Sequence, residues 1–246
     1  MEHRESEPTV AQILAEVERR RAERRAAEAQ ARPLWEQRLA DRAERVGRWL
    51  IRHWLALLNL WWAFYVGVPF LAPFLMKAGA KGPANLIYLA YRPLCHQLPY
   101  RSWYLLGERP YYSLEELLHR GVAPESLVPY GYIGDEVLGY KVSLCQRDTA
   151  IYGTIFLAGL AFALSGRRWR PLPFWVYVCL GIVPVVLDGG IQIATQILAT
   201  LFPEAGWVVI ESTPLRRVVT GALFGLATVW FLYPRVHRAT QASEEH

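Results

Sequence analysis

The chain has 246 residues, 53% of them hydrophobic, with 10 Trp and 13 Tyr, an aromatic load that suits membrane–water interfaces. Its net charge of +5 comes from basic residues spread over membrane flanks and mixed-sign helices, not one basic patch, which argues against a nucleic-acid partner. Three cysteines are too few for a disulfide-rich secreted scaffold, and the odd count leaves at least one thiol free in any monomer.

Residues 1–52 carry 12 Arg, 10 acidic residues and no Lys. The first residues are polar and acidic, so no cleavable leader is expected. From a cap at Thr9 through Trp54 the pattern is helical, and Pro33 should break or bend it. Val10, Ile13, Leu14 and Val17 form one apolar stripe, and Trp35, Leu39, Val46 and Leu50 a second. Between them, residues 18–32 are almost entirely charge and Ala, as in a solvated helix with mixed-sign pairs. The segment reads either as an arm that docks a protein partner or as a soluble helix entering the membrane with Arg42, Arg45, Arg48 and Arg52 at the lipid surface. The second reading is preferred.

Trp54 to Met76 is free of charge and long enough for a first span, which needs roughly 20 residues. Residues 84–94 are short, contain Arg92 and end at Pro93, which predicts a half-helix at the surface. A second span is expected from Thr149 to Ser165, stopped by Gly166. A third begins near Pro173, and the Asp188-Gly189-Gly190 run should break it, leaving a short interfacial or re-entrant helix after the break. The fourth starts at Thr213-Pro214, a cap followed by Pro in the first turn, and should end near Tyr233-Pro234. Gly221 and Gly225 are spaced for close helix approach in lipid. Cys179 reads as an inert thiol buried mid-span.

The fold class is therefore all-α: a polytopic membrane bundle of about four spans plus interfacial or re-entrant half-helices, with a long charged N-terminal helix. The expected organisation is a charged cytoplasmic extension (1–52), a transmembrane helical domain (53–238) and a short polar tail (239–246). The N-terminal flank, the loop with Arg167, Arg168 and Arg170, and the tail with Arg235 and Arg238 all favour a multi-pass protein of the cell membrane with both termini cytoplasmic.

That topology gathers the unusual polar groups in one extracytoplasmic layer. Such groups are expensive near hydrocarbon, so their convergence marks a functional site. Cys95, His96, Cys145 and Asp148 offer a four-ligand set for zinc or another transition metal. A Cys95–Cys145 disulfide fits the same residues, since the outer face is oxidising. In the plainest reading Asp148 is only a helix cap. Gln97, Arg101, Ser102, Arg147, Asp188, Gln192, Glu211, Ser212 and Arg216 complete the candidate polar site, with the arginines suited to an anionic group. Asp188 needs an Arg or metal partner, and Arg147, Arg216 and Arg217 lie in the same layer. No Walker loop, dinucleotide fingerprint, H-E-x-x-H or G-x-S-x-G occurs, so the easy enzyme classes are removed and catalysis is left open.

The motifs Cys95-His96-Gln97 with Arg101-Ser102, Cys145-x-Arg147-Asp148 with Ile151-Tyr152, Asp188-Gly189 with Gln192, and Glu211-Ser212-Thr213 resemble an uncharacterised family of small prokaryotic membrane proteins carrying a domain of unknown function. The resemblance runs from about Tyr88 to Gly225. It implies the membrane class and brings no activity. Asp148 stands where many relatives have a second cysteine, and the loop over 108–142 is longer than in compact relatives. Three functions follow: an outer-face site acting on a small polar or lipid-linked substrate, a thiol–disulfide exchange protein using Cys95 and Cys145, or a non-catalytic assembly subunit docking through its N-terminal helix.

Overall fold

The computed structural model describes residues 10–30 and 33–244. The expected cap at Thr9 lies outside them, as does the Ile13 side chain. The chain divides into two compact units at His53/Trp54.

In the first unit, helix α1 (Val10–Gln30) and the beginning of α2 (Leu34–Lys77) flank Pro33. Their surface is laced with mixed-sign pairs, among them Arg20–Glu16 at 2.8 Å and Arg19–Glu16 at 2.8 Å. Val10, Leu14, Trp35, Leu39 and Val46 are all exposed.

In the second unit four helices are long and apolar enough to cross a membrane: α2, α5 (Gln146–Leu164), the run Phe174–Leu201, and α8 (Pro214–Glu244). Contacts fix their directions. Asn59 of α2 meets Gly159 of α5 while Trp62 stacks on Tyr152, so these two run antiparallel. Gly221 faces Arg147 and Ala150, and Gly225 faces Ile151 and Thr154, so α5 and α8 run parallel in close contact. Ala227 meets Gly181 and Thr220 reaches Asp188, so the Phe174–Leu201 run opposes α8. The bundle core is Leu55, Ile155, Ala158, Phe162, Val229 and Tyr233.

The prolines inside these spans show how backbone groups are satisfied in a helical membrane protein. Pro69 cannot donate to the carbonyl of Tyr65, and the Tyr91 hydroxyl donates to it instead at 2.7 Å. Pro234 frees the carbonyl of Trp230, which accepts from the backbone N–H of Leu172 at 3.3 Å. Arg235 adds bonds to the Phe231 and Leu172 carbonyls. This is why α8 does not stop near Pro234 as expected but continues through it to Glu244.

The glycine pair is a second correction. The helix is not broken at Asp188-Gly189-Gly190: α6 (Phe174–Tyr177), a π-helical turn (Val178–Ile182) and α7 (Val183–Leu201) form one rod, and the re-entrant helix expected after the pair is its last part. The irregularity sits instead just before Pro184. A wider turn there accommodates the missing N–H and the ring. Each helical glycine costs only about 1 kcal/mol against Ala, less than leaving backbone groups unpaired in hydrocarbon. Cys179 is also corrected: it is exposed on the outside of the bundle, not buried.

Between α2 and α5 the chain builds a small cap. The surface half-helix is present as α3 (Lys81–Tyr91). It leads to strand β1 (Ser102–Leu105), helix α4 (Leu114–His119), β2 (Gly134–Asp135) and β3 (Gly139–Cys145). The three strands form an antiparallel sheet in the order β1-β3-β2, so the fold is helical with a small sheet, which the sequence reading did not expect. Ser113 and Glu116 make a reciprocal capping box at α4. Asp135 Oδ1 accepts from the N–H groups of Val137 and Leu138, turning the chain between β2 and β3. Gly139, at φ 80, lies where a Cβ would sit 2.4 Å from the Leu105 carbonyl oxygen, so only glycine fits. Tyr104, Tyr112, Leu117, Val122, Leu127 and Leu138 fill the core of this cap.

Candidate functional site

β3 runs directly into α5, and Cys145 is the hinge between them. It pairs with Ser102 across the sheet, which brings the segment after Cys95 beside the start of α5. The helix cap is the Cys145 sulfur, which accepts from the Asp148 N–H at 3.4 Å, so Asp148 is not the cap but stands one turn inside. Cys95 Sγ in turn accepts from the Cys145 N–H at 3.3 Å.

Cys95 is held by its neighbour. Gln97 is almost fully buried and sits at φ 49, a left-handed conformation unusual for a residue with a Cβ. Its side-chain amide donates to the Tyr88 carbonyl at 2.8 Å, and its own carbonyl accepts from Lys141 Nζ at 2.8 Å. These two bonds fix the turn that presents Cys95.

The result is a cluster in which Cys95 Sγ, Cys145 Sγ and a carboxylate oxygen of Asp148 all lie within 4.8 Å of one another. The Asp148 carboxylate has no hydrogen-bond or ion-pair partner among the described residues. His96 is exposed and lines the same cavity but is outside the cluster. All three cysteines are free thiols. The Cys145 thiol is pushed well above its ordinary range by its hydrogen bond with Cys95, by burial and by the Asp148 charge. A cation held by these atoms would reverse that balance and draw off the protons.

A cavity of about 230 Å³ opens over the cluster, lined also by Arg101, Arg147, Gln192 and Arg217. Two carboxylates organise this wall. Asp188 accepts from Arg147 at 2.5 Å, from Ser212 Oγ at 2.7 and 2.8 Å, and from Thr220 at 3.5 Å. Glu211 takes a two-pronged pair from Arg101 (2.6 and 2.8 Å), accepts from Arg217 at 3.1 Å and from the amide of Gln192. Arg217 also donates to Gln146 Oε1 at 3.1 Å, and Gln146 donates to the Ser102 carbonyl at 3.2 Å. Gly189 matters here because a Cβ would meet the Arg147 guanidinium at 2.8 Å.

Of the sequence candidates, Cys95, Cys145 and Asp148 come together. Gln97, Ser102, Arg101, Arg147, Asp188, Gln192, Glu211 and Ser212 form the surrounding network. Arg216 does not join it; the buried Arg217 takes that place, while Arg216 is exposed on the far side. Sequence reasoning missed Gln146, which joins α5, α8 and β1, and Lys141, a lone fully buried lysine in the apolar strand Gly139–Cys145. A single charge in a run of strand formers was the available signal.

Burial pushes the Lys141 ammonium down to about 7. Unfolded, it holds its proton up to the ordinary lysine range, so between about pH 7 and pH 10 the unfolded chain binds more protons and stability rises with pH. Below about pH 7 the whole cost of burying the charge is felt. Lys141→Met should therefore show its greatest advantage over wild type, or smallest deficit, at pH 6 to 7. Relative to the variant, wild type should gain up to about 1.4 kcal/mol per pH unit above that. Melting curves of both proteins from pH 6 to 10 check this, and parallel curves would contradict it.

Comparisons with known proteins agree with a membrane protein. Residues 136–231, which hold Cys145, Asp148, Asp188, Glu211 and Arg217, match the family described as Predicted membrane protein (DUF2085). The chain is thus similar to an uncharacterised membrane family. An uncharacterised protein of Methanocaldococcus jannaschii is 21% identical over 189 residues, covering 74% of this chain and 92% of the relative. No solved structure matches.

Proposed function

We propose that this membrane protein holds a transition metal such as zinc on Cys95, Cys145 and Asp148, at its extracytoplasmic face, and uses it on a small polar or lipid-linked substrate entering the cavity above. The observation that carries the reading is the convergence, within 4.8 Å, of two sulfurs and a carboxylate that has no partner among the described residues. Tetrahedral zinc, with Zn–S of about 2.3 Å, separates its ligand atoms by roughly 3.3–3.8 Å, so a closing of about 1 Å completes the set. Three protein ligands leave a fourth position for water, substrate or the neighbouring His96, as in sites that do chemistry. The arginine-rich flanks of the opposite ends support cytoplasmic termini. The exposed apolar residues Val10, Leu14 and Trp35 support a protein partner for the N-terminal unit.

A second reading, thiol–disulfide exchange, is favoured by the adjacency of the two cysteines. The two are separated by titrating reduced, metal-free protein in detergent with Co²⁺. The metal reading predicts one equivalent bound with thiolate-to-cobalt absorption, lost in Cys95→Ser and Cys145→Ser and weakened at least tenfold in Asp148→Asn. Absence of those bands in reduced wild type would reject it.

A further inference from the structure

On the other side of the Arg147–Asp188 pair lies a second cavity, of about 420 Å³, between α7, α8 and the connection over 202–213. We propose that it binds one anionic phospholipid, with the phosphate on Arg216 and an acyl chain along Leu187 and Ile191. This site does not depend on the metal reading.

The lining has two characters. Leu187, Ile191 and Ile210 make an apolar wall, and each is about half exposed on the outside of the bundle (57%, 48% and 51%). The first two belong to a helix apolar enough to span a bilayer, so hydrocarbon chains are what reach them. Arg216 lies in the first turn of the next spanning helix, where phosphates of the bilayer surface are met.

Charge within the cavity selects the headgroup. Asp188 is occupied by Arg147, Ser212 and Thr220. Arg216 is exposed, and its guanidinium has no partner among the described residues; its hydrogen bonds are made by the backbone, the N–H donating to Thr213 Oγ1 at 3.3 Å and the carbonyl accepting from Thr220 Oγ1 at 2.7 Å. The lining therefore offers one unpaired positive charge and no free carboxylate for a choline ammonium. A phosphatidylglycerol-type lipid meets both conditions, whereas free phosphate satisfies the arginine and leaves the apolar wall unused.

The test is native mass spectrometry of the full chain in a neutral detergent, titrated with dioleoylphosphatidylglycerol, dioleoylphosphatidylcholine or inorganic phosphate. The expected result is one phosphatidylglycerol bound at least fivefold more tightly than phosphatidylcholine, with no comparable retention of phosphate. Arg216→Gln should lower that affinity about fivefold, and Arg170→Gln should leave it unchanged. Equal binding by wild type and Arg216→Gln, equal binding of the two lipids, or phosphate binding as tightly as lipid would each overturn the proposal.

Discussion

Asp188→Asn is expected to be the most damaging single change in the polar network. It removes one charge and leaves Arg147, itself largely buried, without the only ionic partner it has among the described residues. The Arg147 Nε already lacks a hydrogen bond. Breaking a buried pair from one side costs on the order of 3 kcal/mol, because the surviving charge stays desolvated. For a chain of this size that lowers the melting temperature by roughly 6–12 °C. Cys179→Ala, on the exposed face of the same rod, should be silent by the same measurement. Comparable losses in the two variants would contradict this account of Asp188.

Gly225→Leu is the second large effect. A Cβ at position 225 would fall 2.5 Å from the Ile151 carbonyl oxygen and 3.1 Å from Thr154 Cβ. Both neighbours belong to α5 rather than to a flexible side-chain tip, so the parallel helices must separate. Overpacking of this kind costs about 1–3 kcal/mol for small additions, and leucine adds far more than one methyl. Gly153 on α5 has open space around its would-be Cβ, so Gly153→Ala should be neutral or gain up to about 1 kcal/mol. Melting of detergent-purified protein reads both, and a Gly225→Leu protein as stable as Gly153→Ala would refute the close α5–α8 contact.

The spans were legible because a bilayer imposes length and hydropathy directly on sequence. Proline and glycine misled for a physical reason. At Pro234 and at Gly189-Gly190 local propensity favours a break, but backbone groups in hydrocarbon need partners, and Leu172, Arg235 and the unbroken helix supply them. The sheet was not legible, since strands of four, two and seven residues lie within a long connection whose pattern reads as loop. The polar residues of the site could be picked out as anomalies near the membrane surface. Their pairing could not: adjacent Arg216 and Arg217 look alike in sequence, and only the packing of α8 on α5 sends Arg217 inward to Glu211 and Gln146. His96 likewise follows Cys95 directly, yet it is exposed on the cavity lining and lies outside the cluster.

The most direct measurement is elemental analysis of detergent-purified full-length protein, with free thiols counted on the same sample under denaturing, non-reducing conditions. The account predicts about one transition-metal ion per chain, all three thiols free, and loss of the metal in Cys95→Ser and Cys145→Ser. Protein with no metal and a single free thiol would contradict it, and would point to a disulfide, for which Cys95 and Cys145 are the adjacent pair.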